Sequence, residues 1–294
     1  MPYQTIRYEV VDRIARITLN RPEKMNAFTT QMMHELIEVC DRIDSDDDVG
    51  AVIITGEGRA YCAGADISGG ADDFLTEGGG SVRNPDGSFN YSVEAARDGG
   101  GRLTTRLYCL TKPIIAAING AAVGIGSTML LPMDIRLASE SARFGFVFAR
   151  RGIVPEAASS WFLPRVVGIS QALEWSYSGR VFDAEEALAG GLVKQVLPAE
   201  ELLPAAEAIA REIIDNTAPV SIALTRQMMW RGLGLSHPME AHRIDSRAIL
   251  ERSVSDDAQE GVTSFFEKRP PAFPMKVSAD MPRFYPWWQE PNYE

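Results

Sequence analysis

Two short stretches join an apolar run to a glycine-rich turn that can open a helix. In the first, Ile114 to Ile118 is almost continuously apolar, Asn119-Gly120 breaks it, and Gly124-Ile125-Gly126 turns the chain toward Ser127 to Leu131. In the second, Ala51 to Thr55 is followed by Gly56, Gly58 and the turn Gly64-Ala65-Asp66. A helix that begins in a buried glycine turn presents free backbone N–H groups and the positive end of its dipole. Such a turn can hold an anion, or an oxygen that becomes anionic. A single turn of this kind is more often only a strand-to-helix connection. A carboxylate is also on offer. In GIVPEAASSWFLP, Gly152 to Pro164, Pro155 suits the first position of a helix, which puts Glu156 in the first turn. The plain role of such an acid is to complement the helix dipole. His34, His237 and His242 lie outside both turns in the sequence, so a histidine base or ligand there has no sequence support.

Other chemistries are excluded by composition. The net charge of −11 over 294 residues argues against nucleic acid or an anionic membrane surface as the main partner. Cys40, Cys62 and Cys109 are widely spaced and lack metal-ligand spacing. The start, MPYQTIRYEV, does not read as a signal peptide, and no apolar run is long enough to span a bilayer. A reduced, cytoplasmic setting is therefore expected, with no metal.

The elements that must position these groups read as follows. Thr5 to Val10 and Arg13 to Leu19 form a hairpin with Val11-Asp12 at the turn. Thr29 or Thr30 caps a helix running to about Ile43, with Met33, Leu36, Cys40 and Ile43 on one face. Ser68 to Gly101 is a long loop rich in glycine, aspartate and serine. Ile135 to Ala138 and Arg143 to Phe146 read as strands, and Pro155 opens a helix that runs until Pro164. Ser170 caps another helix ending near Gly179, and Asp183 with Glu186 starts a short one ending at Gly190-Gly191. Leu192 to Leu197 reads as a strand. From Ala199 the pattern is helical: Glu201 to Asn216, Val220 to Arg231, Met239 to Arg252 and Asp256 to Lys268. Residues 270–294 form a tail rich in proline and aromatics.

Taken together, the two glycine turns resemble the paired signature of the enoyl-CoA hydratase/isomerase, or crotonase, superfamily. LNRPEKMNA (Leu19 to Ala27), SGRVFDAEEALAGGLV (Ser178 to Val193) and SFFEKRPPAF (Ser264 to Phe273) are similar to further motifs of that family, in the same order. The resemblance implies an α/β fold: a crotonase-type spiral of ββα units over residues 1–198, then a helical trimerisation region over 199–269. It further implies a homotrimer or dimer of trimers, and an acyl-CoA thioester as substrate, with no cofactor beyond its CoA moiety. The Ser68 to Gly101 loop would help shape the acyl pocket.

Residue by residue, the resemblance makes the backbone amides of Ala65 and Ile125 the donors to the thioester oxygen. The second position is usually glycine in the family. Only a backbone group is needed, but the Ile125 side chain must find room. Arg21, Lys24 and Ala27, with Ala63 and Ile67, match CoA-contacting positions. Phe265 and Lys268 match C-terminal contacts to the nucleotide, often given by a neighbouring subunit. The two glutamates of the family's hydratases are matched here by Thr128 and Phe148, neither of which is an acid. Glu156 instead matches the single proton-shuttling Glu of Δ3,Δ2-enoyl-CoA isomerases. Isomerisation by Glu156 alone is the preferred expectation. The alternatives are an enoyl-CoA hydratase of fatty acid β-oxidation, a crotonase-type hydrolase, and a non-catalytic acyl-CoA-binding protein. Asp66 and Asp134 read as structural, and Trp161, Phe146 and Phe148 as candidate lining of an acyl pocket or as core.

Overall fold

Strands that are apolar at nearly every position must be covered on both faces. The computed structural model, which describes residues 2–68 and 82–293, has this arrangement. One sheet has six strands in the order β1 (Ile6–Val11), β2 (Ile14–Leu19), β3 (Ala51–Gly56), β5 (Ile114–Ile118), β7 (Ile135–Ser139) and β10 (Gln195–Leu197). Only β1 and β2 pair antiparallel; the rest are parallel. Alternate residues then point to opposite faces. Ile14, Ile53, Ile115 and Leu137 pack against Leu202, Ala206 and Ala210. These three project at four-residue intervals from α7 (Ala199–Asn216). Val52, Ile54, Ala116 and Ala138 point the other way, into the larger core under α1 (Thr30–Ser45).

A second sheet has four short strands in the order β4 (Ala60–Cys62), β6 (Ala121–Val123), β8 (Arg143–Gly145) and β9 (Val181–Asp183). Each has three residues. Its first three strands are parallel, so the turns that follow β4 and β6 leave the sheet side by side. Of these four strands the sequence predicts only β8, as Arg143 to Phe146.

The remaining α-helices among the described residues are α2 (Gly99–Cys109), α3 (Ile125–Thr128), α4 (Ser159–Val167), α5 (Ile169–Ser178), α6 (Ala184–Ala189), α8 (Pro219–Gly232), α9 (Pro238–Ser253), α10 (Asp256–Glu267) and α11 (Val277–Asp280). Thr29 caps α1 by accepting from the Met32 amide at 3.1 Å, and Asp183 caps α6 by accepting from the Glu186 amide at 2.9 Å. Glu186 does not return the bond; it binds Arg180 and the Trp175 indole.

Three expectations are corrected. The hairpin turn is Asp12-Arg13, both at positive φ (48° and 66°), as a two-residue turn between twisted strands requires. Gly99 to Gly101 belong to a helix rather than to the loop, because Asp98 caps them: its carboxylate accepts from the Gly100 amide at 3.0 Å and the Gly101 amide at 2.8 Å. The helix expected from Pro155 starts at Ser159, since Ala157 and Ala158 stand at φ of 59° and 52° and cannot be its first turn. It also runs on through Pro164 to Val167. Residues 69–81 of the expected Ser68 to Gly101 loop lie outside the described residues.

Candidate active site

The two glycine turns face one another because β4 and β6 are paired. A Cβ on Gly126 would stand 2.0 Å from the carbonyl oxygen of Cys62, so only glycine lets these backbones approach so closely. Gly64 and Gly124 both take positive φ, 120° and 58°. Phe28 lies alongside the first turn as an isolated parallel bridge partner of Ala65; its amide donates to the Gly64 carbonyl at 2.8 Å. This bridge engages the residues before and after Ala65. Among the described residues, the Ala65 amide donates to no backbone carbonyl. Ile125 is the first residue of α3, so its amide is one of the helix-end donors without a carbonyl in its own helix. The Ile125 side chain, only 5% exposed, is accommodated in the core beside Gly100.

Both turns open on a cavity of about 1060 Å³, whose wall includes Ala63, Ala65, Ile67, Ile125, Phe148 and Glu156. Glu156 is held on this wall by its neighbours. Its Oε1 accepts from the Thr128 hydroxyl at 2.5 Å. A Cβ on Gly100 would lie 2.1 Å from its Oε2 and 2.7 Å from Ile125 Cδ1, so the glycine leaves the space that the carboxylate occupies. The backbone around it is pinned from both sides. Asp98 Oδ2 accepts from the Ala157 amide at 2.5 Å, and the Thr104 hydroxyl donates to the Ala157 carbonyl at 2.8 Å. The Ser159 amide and hydroxyl donate to the Glu156 carbonyl at 2.9 and 2.6 Å. These bonds hold two alanines in a left-handed conformation that a non-glycine residue rarely takes. Backbone strain held in this way is a feature that clusters at functional sites.

Asp98 was missed in the sequence because it sat inside an apparent loop. Its spacing of two and three residues from Gly100 and Gly101 is the helix-cap signal that identifies it. His34 was expected away from the turns, yet α1 carries it to the cavity wall. That placement depends on how α1 docks, which local sequence does not report. Phe148 lines the cavity as expected. Phe146 and Trp161 do not line it among the described residues: Phe146 stacks on Trp175 in the core at 6.1 Å, and Trp161 packs edge-on to Phe162 at 4.9 Å. Cys62, under the first turn, is fully buried, and burial pushes its thiol up to about 12, which rules it out as a thiolate nucleophile near neutrality.

Among the CoA-matching residues, Ala63 and Ile67 line the cavity, whereas Arg21, Lys24 and Ala27 are not among its lining residues. Arg21 donates to the Ala27 carbonyl at 2.6 Å and to Asp66 Oδ2 at 2.8 Å, tying that segment to the first turn. The Arg21 guanidinium holds the Asp66 carboxyl below the usual range. Asp134 accepts from the Ile114 amide, Arg226 and the Trp230 indole, each at 2.8 Å, and joins β5 to α8. Both aspartates are thus engaged within the fold. Phe265 and Lys268 lie at the C-terminal end of α10 and are not part of this cavity in the single chain; Phe265 is 77% exposed.

Comparison with known proteins agrees with this geometry. The family model described as enoyl-CoA hydratase/isomerase matches residues 9–276. An enoyl-CoA hydratase of Alternaria alternata is 41% identical over 89% of this chain and 83% of its own length. A 1,2-epoxyphenylacetyl-CoA isomerase of Escherichia coli is 33% identical over 88% of this chain and 94% of its own. The crystal structure of a probable enoyl-CoA hydratase/isomerase from Mycobacterium abscessus superposes with a TM-score of 0.80 at 35% identity, covering 92% of this chain and 98% of that one. With paired turns on neighbouring parallel strands and a family match across nearly its whole length, this chain belongs to the enoyl-CoA hydratase/isomerase family and is an acyl-CoA enzyme of the crotonase fold.

Proposed function

We propose that the enzyme moves the double bond of a 3-enoyl-CoA to the 2-position, with Glu156 as the sole proton shuttle. The observation that carries this reading is the hydrogen bond from Thr128 to Glu156 on a cavity wall that Phe148 also lines. The Glu156 carboxylate takes a proton from C2. The C–H electron pair passes into the thioester carbonyl and gives a dienolate conjugated through C3 and C4. The amides of Ala65 and Ile125 hold the resulting oxyanion; one such donor is worth about 10²–10³ in rate. The Glu156 carboxylic acid then returns the proton at C4, leaving a C2–C3 double bond and a carboxylate again. The Thr128 hydroxyl donates to Oε1 and so favours the charged form that starts the cycle.

Hydration is the second reading, favoured by the names of several relatives. It needs one group to activate water and a proton delivered to C2. Thr128 and Phe148 have no acid to add to Glu156. Purified enzyme assayed separately with a 3-enoyl-CoA and a 2-enoyl-CoA tests the two readings. Isomerisation of the first with weak hydration of the second is expected; the reverse overturns the proposal.

The same reading extends to assembly. Phe265, Phe266, Val262, Leu250 and Val254 are all more than half exposed on α9, α10 and the turn between them. A homotrimer or dimer of trimers would cover such a surface and carry Lys268 to a neighbour's CoA site. Light scattering at micromolar concentration tests this, and a monomer contradicts it.

A further inference from the structure

The site described above makes no use of the C-terminal tail, residues 277–294, which lies past the residues matched to the family. The tail is tied to the body of the chain at several points. The Ser278 amide and hydroxyl donate to the Asp47 carboxylate at 3.1 and 2.5 Å. Further on, Tyr285, Trp287 and Trp288 pack edge-on to one another, with ring centroids 4.8, 5.3 and 6.0 Å apart. The Arg231 guanidinium of α8 stands 3.3 Å from the Trp288 ring centroid. Glu290 Oε1 accepts from Arg231 at 2.6 Å, from the Trp288 indole at 2.5 Å and from the Cys109 thiol at 3.6 Å. Cys109 is the last residue of α2. Three residues after Glu290, the Tyr293 ring covers the Arg97 guanidinium, 4.7 Å from the ring centroid. The tail therefore reaches from the end of α2 to the residue just before its cap, Asp98.

Arg97 links this strap to the cavity wall, which it lines together with Glu94, Asp98 and Arg102. The Glu94 carboxylate joins Arg97 at 3.2 Å to Arg102 of α2 at 3.1 Å. Glu94 is exposed, so these ion pairs alone hold the segment weakly. A ring laid on the guanidinium adds a contact that water does not replace. The next residue is Asp98, whose carboxylate accepts from the Gly100, Gly101 and Ala157 amides. Gly100 in turn lies against Glu156 Oε2. One peptide bond thus separates the residue that the strap covers from the residue that holds the backbone beside the acid.

We propose that the C-terminal strap is a positioning element of the active site: Tyr293, resting on Arg97, holds the 94–98 segment so that Asp98 keeps Ala157 and Glu156 in place. Its consequence for rate rests on the reading of Glu156 as the proton shuttle; the positioning itself does not.

Full-length Tyr293→Ala and Tyr293→Phe are compared with the natural enzyme in two measurements. Hydrogen exchange reads the Gly100, Gly101 and Ala157 amides without turnover, with Ile114–Ile118 of β5 as the internal reference. Steady-state kinetics with a 3-enoyl-CoA read the acid. In Tyr293→Ala the three amides should exchange about two- to fivefold faster, the scale of a cation–π contact at an exposed site, while β5 is unchanged. The value of kcat should fall by a similar factor with KM nearly constant. Tyr293→Phe keeps the ring and should match the natural enzyme in both measurements. Unchanged exchange in Tyr293→Ala overturns the proposal. So does a rise in exchange that includes β5, which would make the tail a general brace of the fold. Faster exchange at the three amides with kcat unaltered also overturns it, because the strap would then hold the wall without bearing on the acid. Faster exchange at those amides in an enzyme that does not isomerise a 3-enoyl-CoA would uphold the positioning and remove the shuttle reading; unchanged exchange beside normal isomerisation would do the reverse.

Discussion

The cavity has two unlike sides. On the Glu156 side, polar groups are pinned at every step: Thr128 to the carboxylate, Asp98 to three amides, Thr104 and Ser159 to neighbouring carbonyls. At Phe148 the wall has Val147 and Phe148, both at most 9% exposed, followed by Arg151. In a hydratase of this family both sides would be expected to carry an acid. On the proposed reading, proton handling falls to Glu156 alone, because Phe148 supplies no second acid.

The largest test of this contrast is Glu156→Gln, which keeps the shape and removes the base. Isomerisation of a 3-enoyl-CoA should fall by roughly 10²-fold or more, the scale of losing general acid–base help. CoA-ester binding should change little, because the amides remain. A loss of binding in parallel with rate would mean that Glu156 positions substrate and does not move protons.

Gly100→Ala probes the same side through packing. The added methyl meets Glu156 Oε2, Ile125 Cδ1 and Ala157 Cβ at 2.1, 2.7 and 3.0 Å. Overpacking of this kind costs about 1–3 kcal/mol, and the displaced carboxylate should lower kcat well beyond what the loss of stability explains. Thermal melts and steady-state kinetics on the same preparation separate the two. Unchanged kcat would show that the Glu156 geometry is not critical.

Asp98→Ala removes the cap and the tie to Ala157. A lost cap costs about 1 kcal/mol, read as a lower Tm. Because Asp98 positions Glu156 through Ala157, kcat should fall more than KM rises, and Asp98→Asn should recover part of both. A Tm shift with unchanged kcat would assign Asp98 a purely structural role.

The smallest effect lies on the approach to the first turn. Asp66 is held below its ordinary value of 3.8, first by its hydrogen bond from Arg21. A depressed carboxyl stabilises the fold at pH above its unfolded value and loses that contribution as pH falls through its folded value. The stability gap between the natural enzyme and Asp66→Asn should therefore be full near neutrality and shrink below about pH 4, measured by urea titration. A gap that does not vary with pH would mean that the Arg21 contact does not act through charge.

How far the sequence reveals these two sides depends on range. Ile114 to Ile118 and Ala51 to Thr55 were legible as doubly buried strands, because unbroken apolar runs have few other solutions. The helices from Ala199 onward were legible from their period, to within a few residues. The two turns were legible as glycine-rich breaks after apolar runs, and their pairing and the role of Glu156 were legible only through the family resemblance. The strands β4, β6 and β9 were not legible, at three residues each. Nor was the start of α4, because two alanines held at positive φ by Asp98 and Thr104 obey a tertiary clamp that no local propensity encodes. His34 reaches the cavity through the docking of α1, and Asp98 through a helix hidden in a glycine run. The partners that fix the acid are thus the part of the site that only the fold reveals.

One measurement reaches the central claim most directly. A 3-enoyl-CoA carrying deuterium at C2 is converted by the natural enzyme in ordinary water, and the product is read by NMR and mass spectrometry. A single carboxyl that takes the proton from C2 and returns it at C4 should leave part of the label at C4 of a 2-enoyl-CoA. A 3-hydroxyacyl product, or a 2-enoyl product whose abstracted label has gone entirely to solvent, would contradict the single-shuttle account.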